Sequence, residues 1–124
     1  MKKVFLMSLC LLLAMLCLVS CASLKSYEKN LGSNYDVYEL DEDDIEDYGD
    51  NYDLDIDDYK IKKGIEAEHE DKGYSVLILQ CGSSKKAEEL ENDLKKKTKY
   101  YEIERDGKFV LIGSEKAVKK ALGK

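Results

Sequence analysis

The chain predicts an α+β fold: a small β-β-α-β-β-α domain with a mainly antiparallel sheet and helices packed on one face, preceded by an acidic segment. Three observations lead there. Apolar residues recur with period two, or run continuously, in stretches 59–67, 74–81 and 100–113, and recur with helical spacing in 85–98 and 114–122. Asp106-Gly107 sits between two β-rich runs, a dipeptide that favours a tight hairpin. No proline interrupts any element, and of the 124 residues the 104 after position 20 carry apolar side chains for one small core.

Taken in order, Leu24, Tyr27 and Leu31 before Gly32 suggest a two-turn helix in an otherwise polar linker. Leu40 to Gly49 follows as a short helix: Asp41 can cap it, acids fill its first turn, and Gly49 can stop it in a left-handed conformation. Tyr52 to Tyr59 loosely echoes that segment, and the two together suggest related caps on the core. From Tyr59 the period becomes two, so Tyr59, Ile61, Lys63, Ile65 and Ala67 are expected to share one face of a half-buried strand. Gly73 introduces Tyr74 to Cys81, apolar on both faces in its middle, which marks a central strand. Gly82-Ser83-Ser84 breaks it and can cap a helix over Lys85 to Thr98, whose stripe is Ala87, Leu90 and Leu94. A type I′ turn at Asp106-Gly107 would pair Arg105 with Lys108, Ile103 with Val110 and Tyr101 with Ile112. Ser114 can then cap a last helix with Ala117, Val118, Ala121 and Leu122 on its core side, and Gly123 ends it.

The N-terminus carries an address. Lys2 and Lys3 precede an apolar run from Val4 to Val19, broken only by Ser8, which suits a signal sequence; a spanning helix needs about 20 residues. The run closes on Leu18-Val19-Ser20-Cys21, which resembles the lipobox of bacterial lipoproteins at every position. Small Ser20 lets a peptidase approach, and the Cys21 thiol can take a thioether-linked diacylglycerol. The expected organisation is a signal peptide over 1–20, a lipidated polar tether over 21–37, and a single domain over 38–124. The expected location is the extracytoplasmic face of the cell membrane, lipid-anchored through Cys21.

Placing the four cysteines removes any disulfide framework. Cys10 and Cys17 lie in the signal run, Cys21 takes the lipid, and Cys81 ends an apolar run as a buried structural thiol. The lone histidine, His69, lies in the polar stretch Glu66 to Asp71 and reads as a solvated loop residue. Charge is divided unevenly: residues 22–59 hold 14 acids against 2 lysines, net −12, whereas residues 60–124 hold 16 Lys or Arg against 12 acids, net +4. That balance, with the compartment, argues against nucleic acid as a partner. Lys95, Lys96, Lys97 and Lys99 fall where a helix C-terminus favours cations. Six of the nine tyrosines lie between Tyr27 and Tyr59, and are expected to pack the acidic segment onto the sheet.

Asp53, Asp55 and Asp57 alternate and could offer oxygen ligands to Ca²⁺. Counting from Asp53, however, the loop positions that require Gly and Glu are Asp58 and Gly64. Neither a phosphate-cradling glycine loop, nor a nucleophile elbow, nor a Cys-His pair occurs, and exposed carboxylates lack the burial that makes a general acid. No catalytic residue, metal ligand or cofactor is therefore assigned.

The acidic Leu40 to Tyr48 segment, Tyr52 to Lys62, the strand Gly73 to Cys81, the helix Ser84 to Lys97 and Gly107 to Ile112 together resemble a family of small lipoproteins. That family is common in Gram-positive bacteria and carries a domain of unknown function. The resemblance spans roughly residues 38–122 and implies a fold and a location without an activity. Here Lys95 to Lys99 runs straight into Tyr100, without the longer Tyr- and Pro-containing loop of the family pattern. The expected function is that of a membrane-anchored envelope lipoprotein acting as a non-catalytic binding module for an envelope protein or wall polymer. The alternative is a Ca²⁺-binding module through the Asp-rich segment.

Overall fold

Helix α1 (Leu24–Leu31) opens the part of the chain that the computed structural model describes, residues 23–124. It is followed by β1 (Tyr35–Leu40), α2 (Glu42–Tyr52), a 3₁₀ turn (Ile56–Tyr59), β2 (Lys63–His69) and β3 (Ser75–Gln80). The chain continues through α3 (Ser84–Lys97), β4 (Glu102–Asp106), β5 (Phe109–Gly113) and α4 (Glu115–Ala121). The five strands form one sheet in the order β1-β2-β3-β5-β4, with every neighbouring pair antiparallel. The α+β class and the β-β-α-β-β-α succession from β2 to α4 are those the sequence predicts.

The helices do not share one face. The four central residues of β3 and all five of β5 are buried, so alternate side chains demand an apolar layer on each side. Leu77, Leu79, Val110 and Ile112 pack with Ala87, Leu90 and Leu94 of α3 and with Ile45 of α2. Val76, Ile78, Phe109 and Leu111 pack on the opposite face with Tyr27 and Leu31 of α1 and with Ala117, Val118 and Ala121 of α4. Residues 24–37 are therefore part of the fold rather than of a polar tether: α1 buries two side chains, and β1 pairs with β2 from Tyr35 to Leu40. Gly32 (φ +81) closes α1 where the sequence suggests a stop.

Two further expectations are corrected. Tyr59 and Ile61 lie on the α3 side of the sheet, whereas Ile65 and Ala67 lie on the α1 side. The period-two pattern does not run through, because Tyr59 ends a 3₁₀ turn, Lys60 is left-handed (φ 55) and strand pairing starts only at Lys63. The hairpin turns one residue later on each strand than expected: Asp106 pairs with Phe109, Arg105 with Val110 and Ile103 with Ile112. Gly107 (φ +59) then occupies the first central position, which glycine favours in a type II′ turn. Both registers keep the same residues on each face, so the apolar pattern could not separate them.

Candidate functional site

Six of the eleven residues of α2 are acidic and none is basic. The helix is nonetheless well started. Asp41 Oδ1 accepts from the Asp44 N–H at 2.8 Å, and the Asp41 N–H donates to Asp44 Oδ2 at 3.1 Å, a reciprocal capping box. Glu42, Asp43 and Asp44 sit at the positive end of the helix dipole. Gly49 does not stop the helix as the sequence suggests; it is buried within it, and a Cβ there would come within 2.5 Å of Ile56 Cγ1. The left-handed stop is Asp53 (φ 54), whose carbonyl accepts from Lys97 Nζ at the end of α3.

Between α2 and the edge strand β1 lies a cleft of about 500 Å³ lined by Tyr38, Leu40, Asp44, Asp47, Tyr48 and Glu66. Tyr38 is 56% exposed on the strand, and Tyr48 is half-buried. Burial first, then the Glu66 carboxylate beside it, raises the Tyr48 phenol above its ordinary value. Among the described residues the outer edge of β1 carries backbone groups with no partner strand, a feature that peptides can extend. Of the six tyrosines between Tyr27 and Tyr59, Tyr27 and Tyr59 are buried and Tyr35, Tyr48 and Tyr52 half-buried, in keeping with packing; Tyr38 alone of them is exposed.

A second acidic cleft, about 540 Å³, brings together Asp53, Asp55 and Asp57 with Glu46 and Asp50. These carboxylates have local duties. Asp55 Oδ1 accepts from the Asp57 N–H at 3.2 Å to cap the 3₁₀ turn, and Asp53 is the left-handed end of α2. Among the described residues no group of three His, Cys, Asp or Glu side chains is arranged to hold a metal ion.

Cys81 is 2% exposed, and burial pushes its thiol up to about 12. A thiol so held is a poor nucleophile at neutral pH. His69 is not the solvated loop residue the sequence suggests. Its Nδ1 accepts from the N–H groups of Asp71 and Lys72, both at 3.1 Å, and its ring lies edge-on to Tyr35 at 5.0 Å. It closes the β2–β3 turn. Ser83 caps α3 as expected, accepting from the Lys86 N–H at 3.2 Å, whereas Ser114 makes no side-chain cap to α4. Ser114 Oγ instead accepts from the Ser75 N–H at 3.0 Å and donates to the Ser75 carbonyl at 3.2 Å.

These buried protons make stability pH-dependent. Burial, followed by the bond to Asp106 Oδ2 at 2.7 Å, raises the Tyr27 phenol; burial, followed by the bond to Asp93 Oδ2 at 2.6 Å, raises that of Tyr59. Each group keeps its proton to higher pH when folded than when unfolded. Stability is thus fully present below the unfolded value of 9.0 for Cys81 and 10.0 for the tyrosines, and is lost as pH rises through the folded values. The decline is expected at about 1.4 kcal/mol per pH unit per group. Urea midpoints measured across this range test it, and Cys81→Ala should flatten the first part, where the unfolded tyrosines still hold their protons.

One grouping is invisible in the linear sequence. Lys60, Lys62, Lys63 and Lys108 line a cleft of about 340 Å³ around Cys81 and Gly82, at the sheet end where β2 and β5 begin and β3 stops. Lys63 and Gln80 also line the neighbouring cleft, which reaches Ser23 and Lys25. Cys21 lies outside the described residues. Among those residues no helix is long and apolar enough to cross a membrane. The chain matches no family model, no curated protein and no solved structure at a significant level.

Proposed function

We propose that the chain is a cell-envelope lipoprotein held at the extracytoplasmic face of the membrane by a diacylglyceryl thioether on Cys21, and that its domain is a non-catalytic binding module. The observation that carries this reading is the Leu18-Val19-Ser20-Cys21 motif closing the apolar run behind Lys2 and Lys3. Two acyl chains give stable attachment where one gives only marginal binding. The environment of the reactive side chains supports a non-catalytic role: the Cys81 thiol is buried and fully protonated at neutral pH, and the His69 Nδ1 is occupied by two backbone N–H groups. The cleft between β1 and α2, with its exposed Tyr38 and its carboxylates, is the surface best suited to an envelope protein or a wall polymer.

Cys21→Ala is expected to abolish palmitate labelling and move the protein out of the membrane fraction, leaving the domain's melting temperature unchanged. A variant that remains quantitatively membrane-bound would mean an uncleaved anchor and overturn the lipid reading. For the binding role, crosslinking in intact cells followed by solubilisation should recover a partner with the wild type and less of it with Tyr38→Ala. Recovery no greater than from the Cys21→Ala strain counts against a binding module.

A further inference from the structure

We infer that the sheet end carrying Lys60, Lys62, Lys63 and Lys108, with Lys25 beside it, is a docking surface for the anionic headgroups of the same membrane that holds Cys21. The inference rests on the lipid-anchor reading and adds an orientation to it. A single residue, Ala22, separates Cys21 from Ser23, so their Cα atoms lie at most about 7 Å apart. Ser23 lines the cleft of Lys25 and Lys63. A lipid on Cys21 therefore leaves no tether: it brings this end of the sheet to the headgroup layer.

The charge there suits that layer. The cleft around Cys81 and Gly82 is lined by four lysines and no carboxylate. All four are exposed, and none lies within ion-pair distance of a carboxylate among the described residues, unlike Lys86, Lys95 and Lys119. Glu28 of α1 and Glu39 of β1 border the patch in the neighbouring cleft. Turn geometry holds the lysines in place. Lys60 is fixed in a left-handed conformation, the Gly82 N–H donates to the Tyr59 carbonyl at 3.1 Å, and the Cys81 N–H donates to the Lys108 carbonyl at 2.8 Å. Lys72 sits beyond the far end of β2, about 20 Å away, further than the roughly 8–10 Å over which salt screens charge. It should not feel the surface.

The test uses the lipidated mature protein in vesicles of phosphatidylcholine alone and in vesicles enriched in phosphatidylglycerol, with lysine acylation rates read peptide by peptide. Lys60, Lys62, Lys63 and Lys108 are expected to react about fivefold more slowly in the anionic vesicles, Lys72 at the same rate in both, and the difference to vanish in high salt. Combining Lys62→Glu, Lys63→Glu and Lys108→Glu should remove the protection that remains at Lys60. Equal rates in the two vesicles, with the diacylglyceryl mass present on the Cys21 peptide, overturn the docking surface alone. Absence of that mass overturns the anchor and the docking surface together.

Discussion

Gly113→Ala is expected to cost the domain about 3 kcal/mol, at the upper end of what overpacking a core costs. Gly113 closes β5 and stands opposite Val76 of β3 and Glu102 of β4. A Cβ there would lie 2.1 Å from the Ser75 carbonyl oxygen and 2.7 Å from Val76 Cα. Both are backbone atoms and cannot rotate aside, so β3 and β5 would have to separate. They are stitched together at the same spot: the Ser114 N–H donates to the Ser75 carbonyl at 2.9 Å, beside the two Ser114 Oγ bonds. Separation would strain bonds worth about 1 kcal/mol each. A lower urea midpoint at unchanged slope is the expected reading. Gly107→Ala is the comparison, since nothing lies within 4 Å of its added Cβ and only its φ of +59 penalises a side chain, by about 1–2 kcal/mol. Should Gly113→Ala cost no more than Gly107→Ala, the close approach of β3 and β5 is refuted.

Phe109→Ala should be larger still, about 3–5 kcal/mol, because it empties a fully buried position in the layer between the sheet and the terminal helices, at the hairpin end of β5. Phe109 is 2% exposed and meets Tyr27 edge to face, ring centroids 5.2 Å apart at 74°. Tyr27 also donates to Asp106, the residue paired with Phe109 across the hairpin, so α1 is anchored to the turn by one ring and one hydroxyl. A small domain has only about 5–15 kcal/mol in all, so this substitution removes a large share of it. A double-mutant cycle of Phe109→Ala with Tyr27→Leu is expected to show about 0.5–1.5 kcal/mol of coupling in thermal or urea unfolding. Zero coupling would mean that α1 does not pack on this face.

The features readable in the sequence are those whose cause is local. Ala87, Leu90 and Leu94 at helical spacing behind Ser83 specify α3 and the stripe it buries, because i, i+3 and i+7 share a face whatever the partner. Tyr74 to Cys81 declares a doubly covered strand, and Asp106-Gly107 declares a hairpin, since turn chemistry acts within a few residues. The proposed lipid address at Cys21 is of the same kind, a linear motif that needs no fold in order to be read.

The remainder was decided by contacts between residues distant along the chain. β1 is an edge strand with polar residues at Asp36 and Glu39, so its pairing comes from β2 rather than from its own propensity. The hairpin register slid by one residue per strand at no cost in facing, so the apolar pattern left it open. Local spacing shows that α1 and α4 each carry an apolar face but not against which side of the sheet; the apolar row of Val76, Ile78, Phe109 and Leu111, which the two helices bury, settles that. Likewise Lys108 joins Lys60, Lys62 and Lys63 only because β5 pairs with β3, which pairs with β2. The sequence alone thus determined the α+β class and the division of charge, and it carries the motif on which the proposed lipid address rests. Only the tertiary structure decided which charges stand together at the end of the sheet where β2 and β5 begin, because charges far apart in the chain become neighbours solely through strand pairing.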